Sequence, residues 1–329
     1  MEAKNEVFKQ AEGAFEIAQG ITAEEMRALF FDKDALREPP YRVFQLNSKD
    51  KRYYYTIDNG KPTFYPSVTT IIRNTVPTSP FLEKWKADLG AEKAAAYMEE
   101  RAAYGTFMHA QFERLLMEKA YDLDKLKGYL RDYMEDNKLP DSFIYYADEL
   151  KKDILSFAQF VIDYKVKPIA IEVALVHPTG YAGMIDLPCT MLKKIGGEER
   201  VATIIDFKSG RKGFYEDHEI QLGLYREMWN VNFPDLQIER IANFSPKEWR
   251  KKPTYNFKDQ TKAKSLAKIP YILALSRLDE GEKDEFTAIS GIVTLNDETD
   301  LENNITRITL SDLVTSKTKQ KQLPNKFAV

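Results

Sequence analysis

Asp206 and Lys208 stand two residues apart in Ile204-Ile205-Asp206-Phe207-Lys208-Ser209-Gly210, a run of strand-forming residues that stops at a glycine. Side chains alternate on a strand, so Asp206 and Lys208 project from one face and Ile205 and Phe207 from the other. Alone, an Asp-x-Lys pair reads as a surface ion pair worth about 0 to 1 kcal/mol. Two further acids change that reading. Glu172 and Asp186 each lie seven residues from Thr179, within the turn sequence His177-Pro178-Thr179-Gly180. Asp186 and Asp206 each lie ten residues from Gly196, within Ile195-Gly196-Gly197-Glu198. Two hairpins folded about those centres set Glu172, Asp186 and Asp206 side by side across three strands, with Lys208 next to them. Like charges in such a row are destabilising unless something positive sits among them. A hard divalent cation, Mg²⁺ or Mn²⁺, is the simplest such group, since it takes carboxylate, water and phosphate oxygens. A slip of one residue would turn one acid to the opposite face, so the row depends on register.

Other polar groups fall at spacings that could join this row. His109 and Glu113 are i, i+4 on a helix whose adjacent stripe is Met108, Phe112 and Leu115, which makes His109 either a solvated imidazole or a metal ligand. Gln221 and Tyr225 likewise share one helix face. Arg211 and Lys212 follow Lys208 closely, and Lys247-Glu248-Trp249-Arg250-Lys251-Lys252 precedes Tyr255 and Phe257. Basic residues interleaved with rings suit a nucleic-acid strand, through phosphate contact and base stacking, and suit a solvated loop equally well. Cys189, the single cysteine, is expected to be buried on a strand, and no Ser-His-Asp or Cys-His pairing suggests covalent catalysis.

The elements that must hold these groups change character along the 329 residues. Up to about Asp34 the pattern is helical, with Thr22 and Glu25 forming a capping box. Two strands follow, Tyr41 to Leu46 and Arg52 to Ile57. From Ser79 to Lys165 the pattern is helical again: Pro80 stands at a first-turn position, Phe81, Trp85 and Leu89 recur at spacing four, a second helix starts near Gly105, and a third runs from Asp141. Ile169 to Val176, Met184 to Leu192 and Val201 to Lys208 then alternate with period two, as a β-meander. A helix from Glu216 to Val231 leads to a strand, Leu236 to Phe244, which a crossover of that length sets parallel to the Val201 strand. Asp259 to Leu278 reads as helix, Phe286 to Leu295 as strand, and Thr315 to Val329 as a basic tail.

Composition bounds the rest. With 43% hydrophobic and 30% charged residues the chain can bury one large core or two modest ones. No stretch approaches the roughly 18 apolar residues of a membrane span. The opening Met1 to Glu6 lacks the apolar block of a secretory signal, and a lone cysteine suits a reducing cytoplasm. One cysteine also excludes a disulfide within the chain and a four-cysteine iron–sulfur cluster. Lys plus Arg is 48 against 51 for Asp plus Glu, a net charge of -3, so a phosphate-bearing partner must be met by local patches.

Five ordered motifs resemble the PD-(D/E)XK nuclease superfamily, in particular its RecB-like and phage-type exonuclease branch. They are Tyr65-Pro66-Ser67-Val68-Thr69-Thr70 followed by Phe81-Leu82-Glu83-Lys84-Trp85, Gly105-Thr106-Phe107-Met108-His109, Gly183-Met184-Ile185-Asp186, Ile205-Asp206-Phe207-Lys208, and Gln221-Leu222-Gly223-Leu224-Tyr225. The likeness spans Phe64 to Phe244, about half the chain. It implies an α/β fold with a restriction-endonuclease-like mixed central sheet flanked by helices, carrying a helical insertion and an N-terminal β-hairpin. The implied organisation is 1–62 for the N-terminal helix and hairpin, 63–246 for the nuclease core with a helical arch, 247–314 for a helical or mixed extension, and 315–329 for the tail.

The resemblance further implies metal ligation by His109, Asp186, Asp206 and the Phe207 carbonyl, and polarisation of water or phosphate by Lys208. Glu172 would orient water or Lys208, and Gln221 and Tyr225 would border the nucleic acid, with Arg211, Lys212, Trp249 and Arg250 as further contacts. The expected cofactor is Mg²⁺ or Mn²⁺, without the iron–sulfur cluster of some members. The expected substrate is DNA with a free end, in phage or bacterial recombination, repair or processing, where a recombination or single-strand-binding protein would be a partner. A structure-specific endonuclease and a non-catalytic DNA-binding or virion-assembly protein are the alternatives.

Overall fold

The computed structural model describes residues 36–48, 51–59, 61–211 and 213–278, and the backbone of two short strands, Glu285–Ile289 and Ile305–Thr309. The helix expected before Asp34, Lys212 and the tail from Thr315 lie outside the described residues. Strands β1–β12 and helices α1–α7 are numbered along the chain, and the whole is mixed α/β. Among the described residues no helix is long and apolar enough to cross a membrane.

The described residues divide into two compact units, one of them comprising Pro39–Pro77, Ala174–Gly183 and the described residues from Ala267 onward. Here β1 (Phe44–Ser48), β2 (Lys51–Asp58) and β3 (Lys61–Pro66) form an antiparallel meander. Register places Phe44 opposite Tyr55 and Tyr55 opposite Phe64, and the three rings contact one another at 5.0 and 5.5 Å. β1 and β2 match the two expected strands, and β3 is a third beside them. Its Pro62 and Pro66 argue against a strand in general but are tolerated on a sheet edge. Ser67 caps α1 (Val68–Thr75) by accepting the Thr70 N–H at 3.0 Å, and α1 packs against α7 (Ile269–Leu278). The strands β5 (Val173–His177) and β6 (Tyr181–Ile185) form a hairpin whose residues 174–183 belong to this unit. Gly180, at φ +101°, makes its turn.

The second unit comprises Thr78–Val173 and Met184–Leu266, together with residues 36–38. The boundary therefore differs from a continuous core at 63–246. Helices α2 (Pro80–Leu89), α3 (Ala91–Glu118), α4 (Leu126–Asn137) and α5 (Ala147–Asp163) come first, with a 3₁₀ turn at Asp141–Tyr146 leading into α5. Pro80 is the first residue of α2, as expected, but of the stripe at spacing four Phe81 is 87% exposed and Leu89 39%, and only Trp85 is half-buried, against Tyr97 at 5.5 Å. α3 runs unbroken through Gly105 rather than starting there.

A five-stranded sheet of order β10-β9-β8-β7-β4 follows, from β4 (Lys167–Pro168), β7 (Leu187–Leu192), β8 (Arg200–Phe207), β9 (Arg240–Pro246) and β10 (Tyr255–Asp259). β8 and β9 are parallel and joined by the crossover helix α6 (Glu216–Asn232), as expected; the other pairs are antiparallel. Residue 255–259 is strand where the sequence reading began a helix at Asp259. The core on one sheet face is aromatic. Phe112 of α3 stacks on Phe157 of α5 at 4.3 Å, and Phe207 of β8 meets Phe157 edge-on at 5.2 Å. Alternation then turns Asp206 to the other face, toward α6.

Candidate functional site

The antiparallel register of β7 with β8 runs from Leu187 opposite Ile205 to Leu192 opposite Arg200, which sets Asp186 across from Asp206. The Glu172 N–H donates to the Asp186 carbonyl at 2.8 Å. Both pairings are those expected from hairpins centred on Thr179 and Gly196. The strands are less regular than expected, because Asp186 occupies a bend between β6 and β7 and the chain breaks between β4 and β5. At that break Glu172 takes φ +46°, a conformation that costs a non-glycine residue on the order of 1 kcal/mol.

The side chains converge at the carboxyl end of β8, where α/β sheets bind ligands. Lys208 Nζ lies 3.2 and 3.0 Å from the two Asp206 oxygens and donates to Gln221 Oε1 at 2.8 Å. Gln221 in turn donates to the Tyr225 hydroxyl at 2.9 Å, so both helix residues singled out from the sequence are tied to Lys208. Asp186 Oδ2 accepts the Phe207 N–H at 2.7 Å. His109 reaches the same place from α3: its Nε2 lies 3.1 Å from the Phe207 carbonyl and its Nδ1 3.7 Å from Asp186 Oδ2. With Nε2 donating to that carbonyl, the Nδ1 lone pair and a carboxylate oxygen face each other across a gap too long for a hydrogen bond.

Gly105 explains how α3 comes close enough. A Cβ at this position would lie 3.3 Å from Ser209 Oγ, on the loop just past Lys208. The glycine costs the helix interior roughly 1 kcal/mol relative to alanine, and the close approach is what it permits.

The electrostatics are those of charge held out of water. Burial pushes the Asp186 carboxyl up to about 7 against the opposing pull of the Phe207 N–H and Lys208, and nearby Glu172 adds to the rise. Burial likewise raises Asp206 despite Lys208, with Asp186 contributing. Burial lowers His109, favouring the neutral imidazole. The Asp206 side chain is 3% exposed while those of Asp186, Lys208 and His109 are 15–25% exposed, so the site opens on their side. Cys189 is buried, and burial pushes its thiol up to about 12, which disfavours the thiolate form.

Among the described residues no three His, Cys, Asp or Glu side chains converge as a ready-made metal cage. Mg²⁺ does not require one, since it is held through one or two carboxylates with water and phosphate oxygens completing its shell. Asp186 and Asp206 are the two carboxylates here that such a cation could use, and His109 Nδ1 lies 3.7 Å from Asp186 Oδ2. Phe207 offers its carbonyl to His109.

The basic residues are placed differently from one another. Arg211 Nη2 bonds Asp153 at 2.6 Å and Glu149 at 3.1 Å, both on α5. Tyr104 of α3 donates to the other Asp153 oxygen, and Arg101 lies 3.5 Å from Glu149 and 3.4 Å from the Ser209 carbonyl. Arg211 thus fastens the loop after Lys208 to the helices. The Trp249 indole donates to Ser156 Oγ of α5 at 3.0 Å, whereas Arg250 is exposed.

Two site residues went unnoticed in the sequence. Asn243 of β9 stands opposite Asp206 in the parallel register and donates to its Oδ2 at 2.7 Å, and Gln260 donates to Asn243 Oδ1 at 3.2 Å. The expected parallel strand held the signal for Asn243, since it makes Asn243 a neighbour of Asp206; Gln260 follows a strand that was not anticipated. No protein-family model matches the chain, and no curated protein matches it.

Proposed function

We propose that this chain is a Mg²⁺- or Mn²⁺-dependent DNA exonuclease built on a restriction-endonuclease-like core, acting in the cytoplasm on DNA with a free end. The observation that carries the reading is the alignment of Glu172, Asp186 and Asp206 at the end of β8, with Lys208 held between Asp206 and Gln221. The mixed sheet, with its parallel β8–β9 pair and helices α3, α5 and α6, supports the fold, and the ordered PD-(D/E)XK motifs support the chemistry and the end-directed action.

Asp186 and Asp206 would hold the cation, with His109 as a third donor. A bound divalent cation supplies Lewis acidity and lowers the pKa of water at neutral pH. Lys208 places a fixed ammonium where charge grows on a phosphodiester under attack, and Gln221 keeps that ammonium from collapsing wholly onto Asp206. The Phe207 N–H orients the Asp186 carboxylate. Glu172 contributes negative charge beside His109 and Asp186.

The test is cleavage of end-labelled linear and covalently closed circular DNA, single- and double-stranded, with Mg²⁺, Mn²⁺ or EDTA. Loss of linear DNA alone, dependent on the cation and reduced roughly 100-fold or more by Lys208→Ala, is the expected result. Cutting of circles would establish an endonuclease of the same fold. Binding of DNA without cleavage would establish a non-catalytic protein.

A further inference from the structure

The Asp206 carboxylate has two neighbours of different kinds. Lys208 contacts both oxygens and carries a full charge, while Asn243 contacts only Oδ2 and carries none. Asn243 is wholly buried and Gln260 is 2% exposed, so neither amide has solvent as an alternative partner. A carboxylate only accepts, which fixes the Asn243 amide with its NH₂ toward Asp206 and its oxygen away. Gln260 meets that oxygen with a donor. The Gln260 backbone is itself anchored, its N–H donating to the Ile241 carbonyl at 2.8 Å, and the Thr261 hydroxyl accepts the Ile241 N–H at 3.1 Å. Gln260, Asn243 and Asp206 therefore form a directed relay, each link fixing the orientation of the next, from the segment after β10 to the end of β8.

On the reading of this site as a cation site, we infer that Asn243 and Gln260 are positioning residues that hold Asp206 for the divalent cation. A neutral donor on Oδ2 locks the rotation of the carboxylate and leaves its negative charge in place, which a second lysine or arginine there would cancel. Oδ1 is then the oxygen turned toward ligands other than Asn243. Residues 255–261 belong to the working parts of the site, although they lie beyond the segment that resembles the nuclease family.

The experiment is calorimetric titration of Mn²⁺ into the full chain, wild type beside Asn243→Leu and Gln260→Met, near-isosteric changes that remove the Asn243 amide with both its hydrogen bonds and the Gln260 donor respectively. Melting temperatures report folding, and the Mn²⁺ concentration for half-maximal cleavage is read against the rate at saturating Mn²⁺. Loss of an outer-sphere partner lowers metal affinity about 10- to 100-fold. Asn243→Leu is expected to show that loss, with a matching shift in the Mn²⁺ requirement and recovery of the rate at high Mn²⁺; Gln260→Met is expected to show a smaller loss in the same direction. A folded Asn243→Leu chain with wild-type Mn²⁺ affinity overturns the inference. Should that variant not fold, Gln260→Met with wild-type affinity overturns it equally. A wild-type chain that binds no Mn²⁺ overturns the cation site itself and the relay with it, whereas binding that the variants leave unmoved overturns the relay alone.

Discussion

At the scale of single residues, the buried charges separate into two groups with different purposes. Asp186, 15% exposed, stands at the solvent opening with Asp206 buried beside it, while Asp153 is sealed between Tyr104 and Arg211 and serves the fold. Burial pushes the Asp153 carboxyl up to about 6, more than Arg211 and Tyr104 pull it down, with Glu149 raising it further. A carboxyl whose folded value is raised binds its proton more tightly in the folded chain. Its contribution to stability is thus greatest below the ordinary carboxylate value near 3.8 and is lost as pH rises to about 6. The unfolding free energy of wild type minus that of Asp153→Asn is expected to fall by on the order of 3 kcal/mol between those pH values and then to level off. Denaturant unfolding of both proteins across pH 3.5 to about 7 checks this; a flat difference would mean that Asp153 titrates as an ordinary carboxyl.

At the scale of elements, one contact between a helix and a loop sets the geometry. α3 carries His109, and the loop after β8 begins with Lys208; Gly105 against Ser209 lets the two approach. Gly105→Ala gains helix propensity of up to about 1 kcal/mol and asks Ser209 to give way by a few tenths of an ångström, so stability is expected to stay within about 1 kcal/mol of wild type. Gly105→Val adds branched bulk in the same place and is expected to cost about 1–3 kcal/mol and to reduce cleavage, because the loop it displaces carries Lys208. Thermal unfolding and the linear-DNA assay test this pair of variants. Wild-type values for the valine variant would show that the loop has other room to move.

At the scale of the whole molecule, a net charge of -3 leaves little general attraction for a polyanion, so on the proposed function DNA would have to be held by particular cations. Their distribution can be read from the ion pairs. Arg211 is consumed by Asp153 and Glu149, whereas Arg250 is exposed beside Trp249. Arg250→Ala is expected to reduce the slope of log affinity against log salt by about 1, the signature of one lost phosphate contact, while Arg211→Ala is expected to lower the melting temperature and leave that slope unchanged. Binding of a labelled DNA end at several salt concentrations decides between them. An unchanged slope for Arg250→Ala would remove it from the interface.

The residues that could do chemistry were legible in the sequence because their placement depends on local rules. Turn residues at Gly180 and Gly196 and a side-chain period of two determine which acids stand opposite one another, and the β8–α6–β9 connection follows from lengths and handedness. The i, i+4 spacing that unites Gln221 with Tyr225 is local in the same sense. Other features were decided only by tertiary structure. The stripe of Phe81, Trp85 and Leu89 defines a helix face but says nothing about what packs on it: Phe81 and Leu89 are exposed and Trp85 alone meets a ring, that of Tyr97. Arg211 and Trp249 are the kinds of residue that contact nucleic acid, yet the first meets two acids on α5 and the second a serine there, partners that lie 58 to 93 residues away along the chain. Asn243 and Gln260 carry no motif at all, and they enter the site because a parallel neighbour brings the Asn243 amide to Asp206 and the segment after the edge strand brings the Gln260 amide to Asn243. Spacing within an element constrains what a residue's own neighbours can be; contacts between elements are set by which faces must be covered at once, and only the packed chain satisfies all of those demands together.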